Sequence, residues 1–457
     1  MEPPQEVLPP GSNGLPVLGE TLTFLKDGFA FVEERAQKLG PVFRTRILGR
    51  PTVVIVGPDA SGEFINNVHV QRAGAMPPHI QTLFGGQALP ILDGEQHLQR
   101  KRFILAAFTR EALTGYLPTM QGVIDRYCES WVNGGEVGWL EQFKRLSIEV
   151  ICETMLGLKP GPVLDRLRAD YDLVGGGFAN LPIPLPGTAY TRAKQALKRI
   201  LDVFERVTRE HLVQPKTDGL ARILASRSPT TGGGISIEDV KVELHHIVVA
   251  GFIVWAWFST AVLELECNPE LRQRLRLEID RELGDGPLNI EGLVKLAEVH
   301  NFAMEVRRTS PVVHVFFGKA RQTFEFKGYT IPAGWMVLWG HRASHMRPEI
   351  YQRPEKFDPS RFAPPRAEHL RHEYAFVPNG AGPATGHKCA GYEFAPLLLQ
   401  VFTADLLRGY EWQWVLPQDF SYDWVKLPPE PKGGLKVRLR RRLAVEGAPL
   451  RSASPAA

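Results

Sequence analysis

One apolar stretch, Ile247–Leu265, limits what this chain can fold into more than any other segment. It is long enough to span a membrane, but it contains Ser259, Thr260 and Glu264 and carries four aromatic residues near its middle. A helix that is apolar on every side needs protein around it on every side. We therefore expect a long buried helix in a large core and no membrane span.

The rest of the chain indicates a mainly α-helical domain with a minor β-sheet part. Leu, Ile, Val and Phe recur at three- and four-residue steps between Ala60 and Arg209, which is typical of helices. Val42–Val56 is rich in β-branched residues and interrupted by Gly49-Arg50-Pro51, which predicts a hairpin. The other predicted elements are helices over Phe29–Leu39, Glu270–Leu283 and Tyr392–Leu407, strands within Val312–Leu338 and at Leu435–Leu439, a loop at Leu181–Gly187 and a mobile connection at Thr217–Gly234.

The composition is that of an ordinary globular protein. The chain has 457 residues, 44% hydrophobic and 23% charged, and its net charge of +4 is too small to argue for a nucleic-acid partner. The cysteines stand far apart without a C-x-x-C pair, and no signal peptide is evident, so we expect a reduced cytoplasmic protein. The predicted organisation is an N-terminal extension (residues 1–14), one domain (residues 15–445) and a disordered tail (residues 446–457).

The chemistry is expected in a Gly-rich segment, FVPNGAGPATGHKCAGYE, which surrounds Cys389. An apolar helix is predicted immediately after this cysteine, and a helix N-terminus favours the thiolate. Glycines such as Gly382 and Gly391 let backbone approach a flat partner closely. A lone thiolate in such a loop suits an axial haem ligand. A buried structural cysteine remains the alternative from the loop alone.

Two motifs upstream of this loop identify a family. Glu305 and Arg308 lie three residues apart on one helical face, and FDPSRF carries Arg361. E-x-x-R, P-x-R-F and a Cys-x-Gly loop, in this order, resemble the cytochrome P-450 superfamily of haem-thiolate enzymes. The resemblance implies the cytochrome P-450 fold, with haem b held through Cys389. It also implies that Glu305 and Arg308 lock to Arg361 and hold the core of the haem loop.

The resemblance extends over nearly the whole chain. PPGSNGLPVLGETLTFL, LPIPLPGTAY, RPEKFDPSRF and KGGLKVRL look most similar to the retinoic-acid-hydroxylase-like branch known from cyanobacteria. That branch handles long, apolar, isoprenoid-type acids, so the resemblance implies an apolar small-molecule substrate.

The resemblance further implies which residues contact the haem. His387 would face one propionate, His97 and Lys101 the other, and Ala250 and Gly251 would pass over the ring. The alternative for His97, Lys101 and His387 is that they are exposed polar residues without a ligand. Lys388, Arg100 and Arg102 would form a basic proximal face for an acidic redox partner such as a ferredoxin, or else a solvated basic face. The haem-contact set is His97, Lys101, Ala250, Gly251, Gly382, His387 and Gly391.

The long helix departs from the family pattern. Where an acid and a threonine normally hold water and deliver protons to iron-bound dioxygen, this chain has Ile253 and Val254. His245 and His246 precede Ile253 by about 10–12 Å along a helix, and Ser259 and Thr260 lie similarly far in the other direction. None of them is an obvious replacement.

The haem loop departs as well. Asn379 stands where most members have an aromatic residue, and the loop from there to Cys389 is longer than usual by about three residues. Such a loop is similar to that of the fatty-acid peroxygenases, which use hydrogen peroxide and need no reductase. Their carboxylate-binding Arg-Pro pair corresponds to Val249-Ala250 here, so capture of a fatty-acid carboxylate is not supported.

These departures favour an enzyme without normal dioxygen activation, which would use peroxide or a weak O–O or N–O bond in its substrate. The alternatives are a conventional reductase-dependent monooxygenase that hydroxylates a retinoid-, terpenoid- or fatty-acid-like substrate, and a non-catalytic haem-binding protein. Phe252, Ile253, Val254 and Trp255 are predicted to line the substrate pocket, with core packing as the alternative for the aromatic residues. Pro396, within the last predicted helix, is expected to kink it.

Overall fold

Helices account for most of the chain in the computed structural model, which describes residues 7–180, 182–214, 216–284, 286–310, 312–313 and 315–442. Short β-sheets complete the fold, so the prediction of a mainly α-helical architecture with a minor β part is confirmed. The tail predicted for residues 446–457 lies outside the described residues, as do residues 1–6 of the predicted N-terminal extension.

The first helices are α1 (Thr21–Lys26), α2 (Gly28–Leu39), α3 (Pro58–Ile65), α4 (Pro78–Leu83), α5 (Gly94–Leu105), α6 (Arg110–Asn133), α7 (Trp139–Leu156), α8 (Pro162–Ala179), α9 (Ala189–Val213) and α10 (Gly219–Ala225). They are followed by α11 (Ile237–Phe252), α12 (Trp255–Cys267), α13 (Pro269–Glu282), α14 (Ile290–Lys295), α15 (Ala297–Thr309), α16 (His341–His345) and α17 (Phe394–Gly409). The strands are β1 (Val42–Ile47), β2 (Arg50–Ile55), β3 (Val70–Gln71), β4 (Glu136–Gly138), β5 (Val315–Ala320), β6 (Phe324–Phe326), β7 (Tyr329–Ile331), β8 (Met336–Gly340), β9 (Tyr410–Trp414), β10 (Tyr422–Asp423), β11 (Glu430–Pro431) and β12 (Lys436–Arg441).

The predicted hairpin is present as β1 and β2. Its two loop residues, Leu48 and Gly49, both have positive φ angles (51° and 73°), the conformation of a tight two-residue hairpin turn. The hairpin forms one side of a five-stranded sheet in the order β1-β2-β8-β5-β3, in which β2 and β8 run parallel. A second sheet places β12 between β4 and β9.

The long apolar helix is buried as predicted, since 67% of its most apolar window lies inside the protein. It is not continuous, however, because Ile253 and Val254 separate α11 from α12. At this point the Val254 N–H donates to the Gly251 C=O (3.3 Å) and the Ala256 N–H to the Ile253 C=O (3.2 Å). These bonds reach back three residues instead of four, which tightens the turn and interrupts the α-helical ladder. We call residues 250–255 the helix junction.

The segment Thr217–Gly234 is not wholly a connection, because α10 lies within it. The Asp218 side chain caps this helix by accepting the Ala221 N–H (3.0 Å), while Leu220 and Ile223 are buried. The Gly, Ser and Thr content of the segment predicts a connection, whereas its two buried apolar residues favour a packed helix. Residues 182–187, the described part of the predicted Leu181–Gly187 loop, form neither helix nor strand, as expected.

Aromatic packing joins the helices that carry the candidate site. The rings of Phe258 in α12 and Phe402 in α17 lie 4.3 Å apart, and Phe143 of α7 contacts both at 5.9 and 5.4 Å. Ring pairs at these separations stabilise a core beyond the area that they bury. This core therefore fixes α12 and α17 relative to each other.

Candidate functional site

The cysteine loop (residues 376–393) is closed by contacts between its own two arms. The Cys389 N–H donates to the Asn379 C=O at 2.9 Å. Gly380 has a positive φ of 78°, and a Cβ atom there would lie 3.1 Å from the His387 carbonyl oxygen. Both observations favour glycine, since other residues would meet backbone strain and a close contact. The loop thus holds the backbone of Cys389 in a defined position.

The helix after the cysteine begins later than predicted. Residues 390–393 form turns, in which the Tyr392 N–H donates to the Cys389 C=O (3.2 Å), and α17 starts at Phe394. The expectation of a helix immediately after Cys389 is therefore wrong. Cys389 therefore precedes α17 and lies outside its first turn. The field of a helix terminus is strongest within that turn.

Pro396 does not interrupt α17, contrary to the prediction. It is the third residue of the helix, within the first turn. N–H groups of a first turn have no intrahelical partner, so a proline there removes no helical hydrogen bond. The sequence-based helix started two residues too early, which made this proline look internal.

Cys389 differs from the other cysteines in its surroundings. Its residue is exposed, whereas Cys128 and Cys152 are buried, and none of the described cysteines forms a disulfide. Burial raises the pKa of the Cys128, Cys152 and Cys267 thiols, which disfavours their thiolates. A Cβ atom at Gly391 would lie 4.0 Å from the Cys389 Sγ, an ordinary van der Waals contact, and the cysteine itself is exposed. An accessible soft sulfur ligand fits a haem iron.

Lys101 of α5 is joined directly to the cysteine loop. Only 2% of this residue is exposed, and its Nζ donates to the Lys388 C=O. Burial lowers the pKa of Lys101, while the negative charge available at Cys389 raises it. The structure therefore places this predicted propionate contact beside the backbone next to the sulfur.

His97 and His387, which the resemblance assigns to different propionates, lie side by side. Their ring centroids are 4.1 Å apart, and the His387 Nε2 lies 3.2 Å from the Asp93 Oδ1. Burial alone would raise the pKa of Asp93, but hydrogen bonds from His387 and from the backbone of Ala73 and Arg72 lower it to about 2. Burial, with repulsion from His387 and Lys101, lowers the pKa of His97 to about 3. The cluster offers nitrogen donors to the carboxylates of a haem.

Arg100 is not available for the basic proximal face that the sequence suggested. Its guanidinium pairs with Glu243 (2.9 Å) and Asp239 (2.5 Å) of α11 and is largely buried. Glu243, which is fully buried, also accepts the Leu89 N–H (2.9 Å). Arg100 therefore fastens α5 and the segment before it to α11. Lys388, whose Nζ lies 3.8 Å from the Tyr392 ring centroid, remains near the surface.

The predicted Glu–Arg–Arg arrangement is present and fully buried. The Arg308 Nε and Nη2 donate to the two Glu305 carboxylate oxygens (2.7 and 2.8 Å), and the Arg361 Nε donates to Oε1 (3.0 Å). Glu368, which sequence analysis missed, accepts from the Arg361 Nη1 at 2.7 Å. Two buried arginines thus face two buried carboxylates, as buried ions require, and the half-buried Arg366 also donates to Glu368 (2.9 Å). We call the four fully buried residues the ion cluster.

The helix junction places its side chains on different sides. Phe252 and Ile253 are half-buried, whereas Val254 (3% exposed) and Trp255 (2% exposed) belong to the main hydrophobic core. The Lys144 Nζ lies 5.4 Å from the Trp255 ring centroid, on the side of α7. Phe252 and Ile253 are therefore better placed than Trp255 to line a pocket.

Gly251 and Ala250, predicted to pass over the haem, are both half-buried. A Cβ atom on Gly251 would lie 2.5 Å from the Ile151 Cγ1 of α7, so glycine here allows α7 and α11 to approach closely. Close helix packing thus explains Gly251 without a ligand. Gly382 is exposed and has a positive φ of 84°.

Polar side chains near the junction already have hydrogen-bond partners. The His245 Nε2 lies 2.8 Å from the Leu83 C=O and its Nδ1 3.2 Å from the Tyr171 hydroxyl, and burial lowers the pKa of His245 to about 4. Ser259 donates to the Trp255 C=O (3.1 Å), and Thr260 donates to the Ser310 hydroxyl (2.8 Å). The His246 Nδ1 lies 3.2 Å from a Glu243 carboxylate oxygen.

Sequence analysis also missed Arg307. This residue of α15 is buried, and its Nη2 donates to the Asn379 Oδ1 of the cysteine loop at 3.0 Å. The available signal was a second arginine directly before Arg308, together with a polar residue at 379. Two adjacent helical residues face different directions, so both could not join the ion cluster.

Comparison with known proteins agrees with this arrangement. Residues 9–432 match the family model described as cytochrome P-450. The chain is 32% identical to cytochrome P-450 120 of Synechocystis sp. over 94% of this chain and 96% of that protein. It is 29% identical to abscisic acid 8'-hydroxylase 2 of Oryza sativa subsp. indica, over 96% of this chain and 87% of that protein.

Solved structures give the same result. The structure described as retinoic acid bound cyanobacterial CYP120A1 has a TM-score of 0.87 at 30% identity, covering 96% of this chain and 100% of that one. Cytochrome P-450 CYP152N1 with myristic acid shares the fold, with a TM-score of 0.79 at 22% identity over 96% of this chain and 100% of that one. The chain therefore belongs to the cytochrome P-450 family and, as the family implies, binds haem through a cysteine thiolate.

Proposed function

We propose that this haem-thiolate oxidoreductase transforms an apolar, retinoid- or terpenoid-like small molecule without activating dioxygen through the helix junction. The oxidant would be hydrogen peroxide or a weak O–O or N–O bond within the substrate itself. The names of a related abscisic acid hydroxylase and of a related structure with retinoic acid support the substrate class. Burial of the long apolar helix supports a cytoplasmic protein without a membrane span.

The single observation that carries this proposal is the chemistry of the helix junction. Ile253 and Val254 have no titratable group. His245 and Thr260 are hydrogen-bonded to other elements, and Ser259 donates to a backbone carbonyl of its own helix. Proton delivery needs a group within hydrogen-bond reach, directly or through one water. Among the described side chains of α11 and α12, none meets that need at the junction.

The other residues of the site have roles that do not require such a relay. A bound haem thiolate supplies an iron centre that can cleave an O–O or N–O bond. We assign Cys389 as its ligand, with His97, Lys101 and His387 as partners of the propionates. Phe252 and Ile253 would contact the substrate and exclude water. When hydrogen peroxide is the oxidant, one oxygen atom enters the product and the other leaves as water, so no reductase is required.

The test is product formation by the purified holoenzyme on isoprenoids, fatty acids, hydroperoxides and N–O compounds. Each substrate is assayed alone, with hydrogen peroxide, and with dioxygen plus a surrogate reductase. Product without reductase is the expected result. Product only with reductase and dioxygen would overturn the proposed reaction type.

Cys389→Ser provides the control for the ligand assignment, with Cys267→Ser as the matched exposed cysteine. We expect the first variant to lose the thiolate-type absorption spectrum completely and the second to keep it. If the thiolate-type spectrum survives in Cys389→Ser, the assignment of Cys389 as ligand is wrong.

A conventional reductase-dependent monooxygenase is the second candidate. The specific observation in its favour is that a relative at 29% identity is named as a hydroxylase. This candidate requires ordered water or a substrate hydroxyl to replace the missing acid and threonine. It also requires a redox partner on the proximal face, where Lys388 would contribute. The reductase arm of the same assay separates the two candidates.

A further inference from the structure

Arg307 is a buried cation whose charge has no carboxylate partner. Only 4% of the residue is exposed, and within the described parts of the chain its guanidinium makes no ion pair with an acid. Its Nε also has no hydrogen-bond partner. The neighbouring Arg308, by contrast, is paired with Glu305 through two hydrogen bonds. A buried arginine normally requires such pairing, so another source of stabilisation must act on Arg307.

Aromatic rings supply part of this stabilisation. The Arg307 guanidinium carbon lies 5.3 Å from the ring centroid of Tyr392, 5.5 Å from that of Phe376 and 5.8 Å from that of Trp257. Cations at such distances are attracted to the faces of aromatic rings, more strongly where water is excluded. Two of these rings, Phe376 and Tyr392, belong to the cysteine loop, so the loop itself surrounds the charge.

Asn379 connects Arg307 with Cys389. Its side-chain oxygen accepts from the Arg307 Nη2 (3.0 Å), and its backbone carbonyl accepts the Cys389 N–H (2.9 Å). Burial lowers the pKa of Arg307, whereas electrostatic interaction with Tyr392 and Glu393, a side-chain hydrogen bond with Tyr392 and, last, the charge at Cys389 raise it. Glu393 is exposed, so solvent screens its charge. Cys389 is exposed as well, but a haem held by its sulfur would cover it. Its thiolate is then the negative group that Asn379 links to this cation.

We propose that Arg307, oriented by Asn379, is a positioning residue that stabilises the negative charge of the Cys389 thiolate. The inference depends on the proposed role of Cys389 as the haem ligand. A fixed positive charge at Arg307, one residue removed from Cys389 through Asn379, would also favour an added electron on the bound metal, because the field of a buried cation is weakly screened. Asn379 is suited to this role because its side-chain oxygen accepts the guanidinium hydrogen bond, which a phenylalanine at that position could not do.

The measurement is the reduction equilibrium of the haem iron, titrated spectroscopically in the purified holoenzyme. Arg307→Gln and Arg307→Met remove the charge, and Arg307→Lys keeps it while losing the planar fork. We expect the two neutral variants to shift the equilibrium toward the oxidised form by roughly tenfold, which is 59 mV for one electron. Arg307→Lys should stay within about threefold of the unmodified protein.

Variants at Asn379 test the same inference without touching Arg307. Asn379→Asp places a carboxylate on the guanidinium, so it should shift the equilibrium as the neutral variants do. Asn379→Leu breaks the hydrogen bond but keeps the charge, so its shift should be smaller. If Arg307→Gln or Arg307→Met fails to incorporate haem, the Asn379→Asp and Asn379→Leu pair decides the question.

Two outcomes would overturn the inference. In the first, Arg307→Lys shifts the equilibrium as far as the neutral variants, which would show that shape and packing matter but charge does not. In the second, neither the neutral variants nor Asn379→Asp shift it at all. Failure of the ligand assignment is recognised separately, since Cys389→Ser would then keep the thiolate-type spectrum of the ferrous carbonyl complex.

Discussion

The ion cluster consists of charged residues, whereas residues 252–255 of the helix junction are apolar. In the ion cluster, Glu305, Arg308, Arg361 and Glu368 are fully buried, and the two arginines pair with the two carboxylates. At the helix junction, Phe252–Trp255 is wholly apolar, and two nearby polar side chains bond to other elements. The residues expected to hold the cysteine loop are therefore different from those at the expected site of proton delivery. Each region should respond to substitution in its own way.

The largest effect should follow from breaking the ion cluster. Glu305→Gln removes the carboxylate shared by Arg308 and Arg361 and leaves two buried guanidinium groups with too little negative charge. We expect a loss of about 3–5 kcal/mol in the free energy of unfolding, since stranded buried charges are costly. Urea denaturation monitored by circular dichroism measures this loss.

A matched control lies on the same helix. Glu298 pairs with Arg274 at 3.1 Å, but both side chains are about half exposed. Glu298→Gln should cost no more than about 1 kcal/mol, because exposed ion pairs contribute little. Equal losses for the two glutamates would contradict the view that burial makes the ion cluster critical.

Acid sensitivity should come from two buried histidines that lie outside the ion cluster. Burial lowers the pKa of His245, beside the junction, and of His341, beside the cysteine loop, from 6.5 to about 4. Below pH 6.5 the unfolded chain takes up protons that these folded histidines do not bind. Stability should therefore be greatest above pH 6.5 and fall as the pH decreases toward 4, by about 2 kcal/mol per histidine between pH 7 and pH 5.

The measurement is the free energy of unfolding at pH 7 and pH 5 for the unmodified protein, His245→Gln and His341→Gln. Each substitution should reduce the loss of unfolding free energy between pH 7 and pH 5 by about 2 kcal/mol, whatever its effect on stability at pH 7. An unchanged slope in both variants would show that other groups cause the acid sensitivity.

The smallest effect is expected from restoring polar groups at the helix junction. The double variant Ile253→Glu, Val254→Thr adds an acid and a hydroxyl, and the threonine can donate to a carbonyl one turn back. With dioxygen and a surrogate reductase, we expect the share of electrons that ends in product to rise roughly threefold, equivalent to about 0.7 kcal/mol. Ile253→Gln, Val254→Ala is the control, with neither acid nor hydroxyl. If both pairs respond equally, proton delivery does not limit oxygen use.

Three of the four residues of the ion cluster are predictable from motifs, two of them by a local rule. Glu305 and Arg308 face the same way on any α-helix, and the family resemblance supplied Arg361. Glu368 escaped notice because its pairing with Arg361 depends on an irregular chain segment. The predicted start of α17 is also too early. Residues 390–393 form turns, and their sequence does not distinguish such turns from the first turn of a helix. That error made Pro396 look like a kink.

What the sequence alone determined is the helical architecture, the family and the absence of an acid and a threonine at Ile253 and Val254. These follow from periodicity, motif order and residue identity, which need no three-dimensional information. Only the tertiary structure decided that His245 and Thr260 bond to other elements, that Arg100 is bound to Glu243, and that Arg307 lies beside the cysteine loop without an ion pair among the described residues. The physical reason is that hydrogen bonds and ion pairs between distant segments depend on how the helices pack.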